Sequence, residues 1–273
     1  MYYFINNKFV HSSKAKISFH DSGFLFGDGL FETMRFDKGK IFSINNHLNR
    51  LMKGLKIIDL KIDKSKNELT KILYDVINKN SAKDGIIRLM ITRGSSNKID
   101  EDYKVPSIYI SIKNFYDIPE KPVKIIYFNE EKYPIIRFKP AIKSMNYLGN
   151  MLAKKDADTA GAFEPVFFNK NNIITECAIR NIFYIKNNIL FTPALDLGIL
   201  SGVMRDTVMQ IVKALNIQIQ ESHISYEEVN KMDEAFITST GIGLLPCYWD
   251  GWTSNFVLTK LIKKELFKRI KNN

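Results

Sequence analysis

Two prolines within nine residues, in NFYDIPEKP (114–122), interrupt a chain whose apolar residues otherwise follow regular periods on both sides. Before this break, alternating residues mark strands and helical stripes mark two helices; after it, both kinds of pattern begin again. A single hydrophobic core rarely grows past about 250 residues, and this chain has 273. Two domains are therefore expected, 1–116 and 117–273.

Residues 2–10 alternate around Asn6-Asn7 and predict a hairpin. HDSGFLFGDG (20–29), dense in Gly and Asp, predicts a loop, and FETMRF, DKGK and IFS (31–43) predict a second hairpin. From there Leu48, Leu51, Met52, Leu55 and Ile58 share one helical face, with Asn45 or Asn46 available as cap and Arg50 beside the stripe. A helix over about 64–79 precedes the strands GIIRLMITRG and SIYISIK. Past the prolines come the strand VKIIYF, an irregular stretch YPIIRFKPAIKSMN (133–146) and the helix YLGNMLAKKDADTAG. Strands EPVFF, ITECAIRNIFYI and ILFTP follow, then the helix SGVMRDTVMQIVKAL, the strand IQIQES and the short helix YEEVNKM. EAFITSTGIGLLP predicts a strand running into a loop, and a helix over about 255–271 ends the chain. Strands and helices are thus mixed along the whole chain.

Hydrophobic residues at 45% and charged residues at 25% exclude a disordered tail or a collagen. No run of about eighteen apolar residues occurs, and MYYFINNKFV lacks the layout of a leader peptide, so a soluble cytoplasmic protein without a membrane partner is expected. Cys177 and Cys247 are too few for a disulfide framework, and no metal site is expected. The balance of 40 Lys+Arg against 29 Asp+Glu gives +11, a sign that suits nucleic acid, an acidic membrane face or small anions alike. A nucleic-acid-binding protein is the alternative outside enzymes. Its best support, KLIKKELFKRIKNN, flanks an apolar face as ordinary amphipathic helices do, so no nucleic-acid partner is expected.

Three features ask for a phosphate. Arg50 lies on an apolar-backed helix, Leu200-Ser201-Gly202-Val203-Met204 opens a helix, and the hydroxyls of Thr238, Ser239 and Thr240 precede Gly241. A helix N-terminus offers unbonded N–H groups and the positive end of its dipole, and glycine lets the backbone come close.

The stretches DSGFLFGDGLFETMR (21–35), HLNRL (47–51), ITRGSSNK (91–98), IKSMNYLGNMLAKKDA (142–157), ITECAIRNIF (174–183), LSGVMRD (200–206) and ITSTGIGLLP (237–246) span nearly the whole chain. In this order they resemble the fold-type-IV pyridoxal-phosphate enzymes, the class IV aminotransferases. The resemblance implies an α+β, two-domain, D-amino-acid aminotransferase-like fold, with a small N-terminal α/β domain and a larger, β-rich C-terminal domain with helices that binds pyridoxal 5'-phosphate. It implies a homodimer, each site lying between the domains and bordered by the partner subunit. Carried over residue by residue, it makes Lys143 the Schiff-base lysine and proton-transfer base, which requires a neutral amine. Glu176 becomes the carboxylate at the pyridine nitrogen. Arg50, Gly202, the backbone at Val203 and Met204, and Thr240 become the phosphate grip; Leu200 packs on the ring, and Tyr147 stands near the ring hydroxyl.

Such a site supports transamination or elimination. D-amino-acid transaminases carry an Arg-x-His pair where this chain has Lys98-Ile99-Asp100, and TEC, GVMR and GSSNK resemble the wording of 4-amino-4-deoxychorismate lyases. The implied activity is release of 4-aminobenzoate and pyruvate; the alternative is transfer of the amino group of a small or branched-chain amino acid to 2-oxoglutarate. A lyase substrate has two carboxylates, so cations beyond the phosphate grip are expected at this small anionic molecule, with Lys98, Arg93, Arg35 and Arg180 as candidates. Arg88 and Arg93 are five apart on one strand and point to opposite sides, so at most one of them enters the pocket.

Overall fold

The computed structural model describes residues 1–96, 105–115 and 117–271. The chain forms two compact units, one of Met1–Tyr116 with Ile142–Asn146, the other of Asp117–Ala141 with Tyr147–Asn272.

The first unit contains β1 (Tyr2–Ile5), β2 (Lys8–His11), α1 (Ser22–Phe26), β3 (Gly29–Asp37), β4 (Lys40–Ile41), α2 (Ile44–Ile57), α3 (Lys66–Lys79), β5 (Gly85–Thr92) and β6 (Ser107–Lys113). Its strands form an antiparallel six-stranded sheet in the order β2-β1-β6-β5-β3-β4. Asn6 and Asn7, both at positive φ, turn the first hairpin, a conformation Asn tolerates better than most residues. Period-2 alternation gives the sheet two unlike faces. Leu30, Met34 and Phe36 of β3, with Ile87, Leu89, Ile91, Ile108, Ile110 and Ile112, bury a core against Leu48, Leu51 and Leu55 of α2 and Leu69, Leu73 and Val76 of α3. Each such side chain contributes about 1.5–3 kcal/mol on burial. The other face carries Phe31, Thr33 and Arg35 with Arg88, whose Cα lies opposite Thr33.

Two local expectations change in this unit. The Gly/Asp-rich stretch is not all loop: the Asp21 carboxylate accepts from the N–H groups of Gly23 (2.9 Å) and Phe24 (3.3 Å) and starts α1, which Gly27 ends at φ 68°. Asn45 and Asn46 lie inside α2; its cap is Ser43 at φ 50°, without a side-chain cap bond.

Segment 142–146 lies along the start of β3. Phe31 N–H donates to the Lys143 carbonyl (3.0 Å), Met145 N–H to Gly29 (2.9 Å), and the Asn146 amide to Gly27 (3.2 Å). The residue expected to react thus sits in the first unit although it follows the proline break.

The second unit contains β7 (Val123–Asn129), α4 (Leu148–Thr159), β8 (Glu164–Phe168), β9 (Ile174–Cys177), β10 (Asn181–Lys186), β11 (Ile189–Pro193), α5 (Val203–Ala214), β12 (Ile219–Ser222), β13 (Glu234–Ser239), β14 (Gly243–Tyr248) and α6 (Val257–Lys271). Its mixed eight-stranded sheet has the order β12-β11-β10-β13-β14-β7-β8-β9 around Ile125, Val166, Ile182, Tyr184, Ile237 and Leu245. ITECAIRNIFYI is two strands rather than one. Cys177 N–H bonds to the Arg180 carbonyl (3.1 Å) in a tight turn, so β9 pairs with β8 while β10 pairs with β11 and β13. The α6 N-terminus is satisfied from afar, the Glu234 carboxylate accepting from Leu258 N–H (2.9 Å) and Thr259 N–H (2.7 Å). Among the described residues no helix is long and apolar enough to cross a membrane.

Candidate active site

In the first unit, α2 delivers His47 and Arg50, three residues apart and so on one side of the helix, to Glu32 of β3. Arg50 grips this carboxylate with two bonds, Nε to Oε1 (2.8 Å) and Nη2 to Oε2 (2.7 Å), and His47 Nδ1 approaches Oε2 at 2.7 Å. Glu32 and His47 are fully buried. Burial alone would push the Glu32 carboxyl up; the Arg50 guanidinium and the hydrogen bonds from His47 and Arg50 more than offset it and hold the carboxyl at about 2. Burial holds the His47 imidazole below its ordinary range, and the charges of Arg50 and Lys143 push the same way against Glu32. At neutral pH this imidazole is therefore uncharged, and Nδ1–H donates to Glu32.

Lys143 is half-buried, with Nζ 4.5 Å from the centroid of the Phe31 ring. The Arg88 guanidinium carbon lies 4.1 Å from the same centroid, so the guanidinium and the Lys143 amine nitrogen share one aromatic ring. Arg50 and Lys143, expected together, both act on His47 and stand in one neighbourhood.

The cations expected at substrate have different surroundings. Arg35 shares the face of Phe31 and lies 4.9 Å from the Phe115 centroid. Arg93 is tied to Asp28 (Nε to Oδ2, 2.7 Å) and donates to the carbonyls of Ile58 (2.9 Å) and Asp59 (3.2 Å) at the end of α2. Arg180 is buried and pairs with the buried Glu164, its guanidinium carbon 4.5 Å from the Phe163 centroid. Lys98 lies outside the described residues. Of the pair five apart, Arg88 lies within β5 and faces the Phe31 side, whereas Arg93 follows the strand's last residue.

In the second unit, Glu176 lies on the edge strand β9, where Arg137 pairs with its Oε1 and Leu200 N–H donates to Oε2 (3.3 Å). Arg137 also donates to Glu130 (2.7 Å) and Thr175 (3.0 Å). Helix α5 begins at Gly202 without a side-chain cap. A Cβ at Gly202 would collide with Oδ1 of Asn181, so close approach rather than dihedral freedom requires glycine here. Asn181 sits opposite Thr238 across β10 and β13, bringing the α5 start to the strand end that leads to Thr240. The structure thus gathers Glu176, Leu200, Gly202, Val203 and Met204, while Tyr147 is the half-buried residue preceding α4.

Sequence reasoning missed Glu32, His47, Glu130, Arg137 and Asn181. For Glu32 a signal existed: alternation along FETMRF puts it on the same face as Leu30 and Met34, and a carboxylate on a core face needs a partner. Arg137 stands in an irregular stretch with no periodicity to expose it.

The sequence pattern of amino-transferase class IV matches residues 29–248. The chain belongs to this family. It is similar to D-alanine aminotransferase of Listeria monocytogenes, 32% identical over 89% of this chain and 85% of the relative. It is also similar to aminodeoxychorismate lyase of Bacillus subtilis, 29% identical over 89% of this chain and 84% of the relative. Among solved structures, the branched-chain aminotransferase of Thermoproteus uzoniensis with norvaline superposes with a TM-score of 0.91 at 26% identity, covering 99% of this chain and 95% of that one. The fold is therefore fold type IV, and this class IV family member is a pyridoxal-phosphate-dependent enzyme acting on small molecules.

Proposed function

We propose that the chain is a 4-amino-4-deoxychorismate lyase. The observation that carries the reading is the Phe31 face of the first sheet, where Arg88 and Lys143 share one ring and Arg35 lies four residues along the same strand face. A substrate with one amine and two carboxylates suits a nucleophilic lysine flanked by two arginines, and the TEC, GVMR and GSSNK wording supports the same choice.

The residues fit the cofactor. The first unit offers Arg50, fixed in direction by Glu32, for the phosphate, and Lys143 for the covalent attachment. The second unit offers the N–H groups of Val203 and Met204 in a cradle that a Cβ at Gly202 would fill, Thr240, the carboxylate of Glu176 for the ring nitrogen, Leu200 for the ring face and Tyr147 for its hydroxyl. When bound, pyridoxal phosphate supplies an electron-withdrawing ring that stabilises the charge left when the substrate C–H bond breaks.

Arg88 and Arg35 hold the carboxylates and orient the substrate. The Lys143 amine takes the proton from the carbon bearing the substrate nitrogen. The neighbouring C–O bond breaks, its electron pair leaving with the enolpyruvyl group, which gains a proton and departs as pyruvate while the ring becomes that of 4-aminobenzoate. Supplied with chorismate, glutamine and the upstream synthase, the purified protein should yield 4-aminobenzoate. No product, together with brisk amino transfer from leucine or alanine to 2-oxoglutarate, would overturn the lyase reading for the transaminase one.

The reading includes a homodimer, supported by the exposed Phe19, Phe24 and Phe26, an apolar group in one short stretch of the first unit. Light scattering should give twice the chain mass of 31.6 kDa; a monomer at micromolar concentration would overturn it.

A further inference from the structure

The second unit sets two carboxylates against one guanidinium. Arg137 pairs with Glu176 through Nη1 and with Glu130 through Nη2. Thr175 ties the group together, its hydroxyl accepting from Arg137 (3.0 Å) and lying 3.1 Å from Glu130 Oε2. The three charged side chains are 17–18% exposed, so their charges act through protein more than through water. Two negative charges and one positive leave a net −1. Glu164 and Arg180 cancel as a pair, and burial pushes the Cys177 thiol well above its usual range, so it is neutral. The Lys139 side chain passes Gly198 beside Arg137 and is common to every comparison below.

We propose that Glu130 and Arg137 are positioning residues that set the charge offered to the ring nitrogen of bound pyridoxal phosphate, Arg137 cancelling one carboxylate so that a single net negative charge remains at Glu176 to keep that nitrogen protonated. The inference rests on Glu176 being the partner of the ring nitrogen. Its distinctive consequence is a difference in sign. Without Glu130, the whole charge of Arg137 falls on Glu176, the cluster is neutral, and the ring proton is held less firmly. Without Arg137, the cluster carries −2 and the ring proton is held more firmly.

The full chain, reconstituted with pyridoxal phosphate labelled with ¹⁵N in the ring, reports this proton directly through the nitrogen resonance followed against pH. Glu130→Gln should lower the titration midpoint by about one pH unit, the scale on which a change in a neighbouring charge moves a titrating group. Arg137→Met should not lower it, and Arg137→Lys should stay near the wild type. An unchanged midpoint in Glu130→Gln, or a fall in Arg137→Met matching that of Glu130→Gln, overturns the proposal while leaving the role of Glu176 intact. Should Arg137→Met fail to fold, Glu130→Gln and Arg137→Lys decide by the same criterion. Glu176→Gln separates the premise: a wild-type midpoint there removes Glu176 from the ring nitrogen and the proposal with it.

Discussion

Each unit holds an ionic cluster among its own candidate residues, and the two clusters differ in burial and in sum. In the first, Glu32, Arg50 and a neutral His47 add to zero, with Glu32 and His47 wholly out of water. In the second, Glu130, Arg137 and Glu176 add to −1 at a partly exposed strand edge. A buried cluster that sums to zero can serve as scaffold when every group is bonded, because the mutual attraction then offsets the desolvation of its ions. A charged one at an edge is suited to meeting a ligand cation. The first therefore fixes the direction of an arginine, and the second sets a charge.

The largest expected effect tests the group that the first cluster adjoins. Lys143→Ala should lower turnover by at least about 10⁴-fold, with circular dichroism and thermal midpoint near the wild type, because a half-buried lysine against one ring adds little to packing. Next, Glu32→Ala should cost about 3–5 kcal/mol in denaturant unfolding, the penalty for stranding a buried charge. Glu176→Ala, at a partly exposed pair, should cost about 1 kcal/mol while still weakening cofactor retention. Equal stability losses in the two variants would erase the distinction between the clusters.

A pH titration sharpens it. Glu32 is more acidic folded than unfolded, so its contribution is present above an unfolded value near 4.5 and is lost as pH falls toward about 2. His47 is also lowered, so the stability of its neutral form begins to fade below about 6.5, the ordinary histidine value. Stability should thus decline as pH drops from about 6.5, with about 3 kcal/mol of the loss traceable to Glu32; in Glu32→Gln the curve below pH 4.5 should flatten. A local effect belongs to Gly202→Ala. Pushing Asn181 aside should weaken cofactor retention about tenfold, the equivalent of 1.4 kcal/mol, as read from absorbance after dialysis; unchanged retention would remove Gly202 from the phosphate cradle.

The strands and long helices were legible because alternation on β3, β5 and β6 and the stripe on α2 report burial directly. The break inside ITECAIRNIFYI was not, since the turn depends on Arg180 reaching Glu164, a partner that no local pattern announces. Site residues with motif context, such as Lys143 and Glu176, could be singled out, whereas their holders Glu32 and Arg137 could not. A holder is defined by what it touches across the fold, far away in sequence: Glu32 to Arg50 is 18 apart, and Arg137 to Glu176 is 39. Arg93 carried a motif and still turned out to tie Asp28 to the end of α2.

The short ribbon 142–146 that runs beside β3 has a consequence for how the protein can be made and divided. When the ribosome has finished all six strands of the first sheet, Lys143 has not yet been translated. Splitting the gene at the proline pair would give a leading half without its lysine and a trailing half carrying that lysine with nothing to lie against.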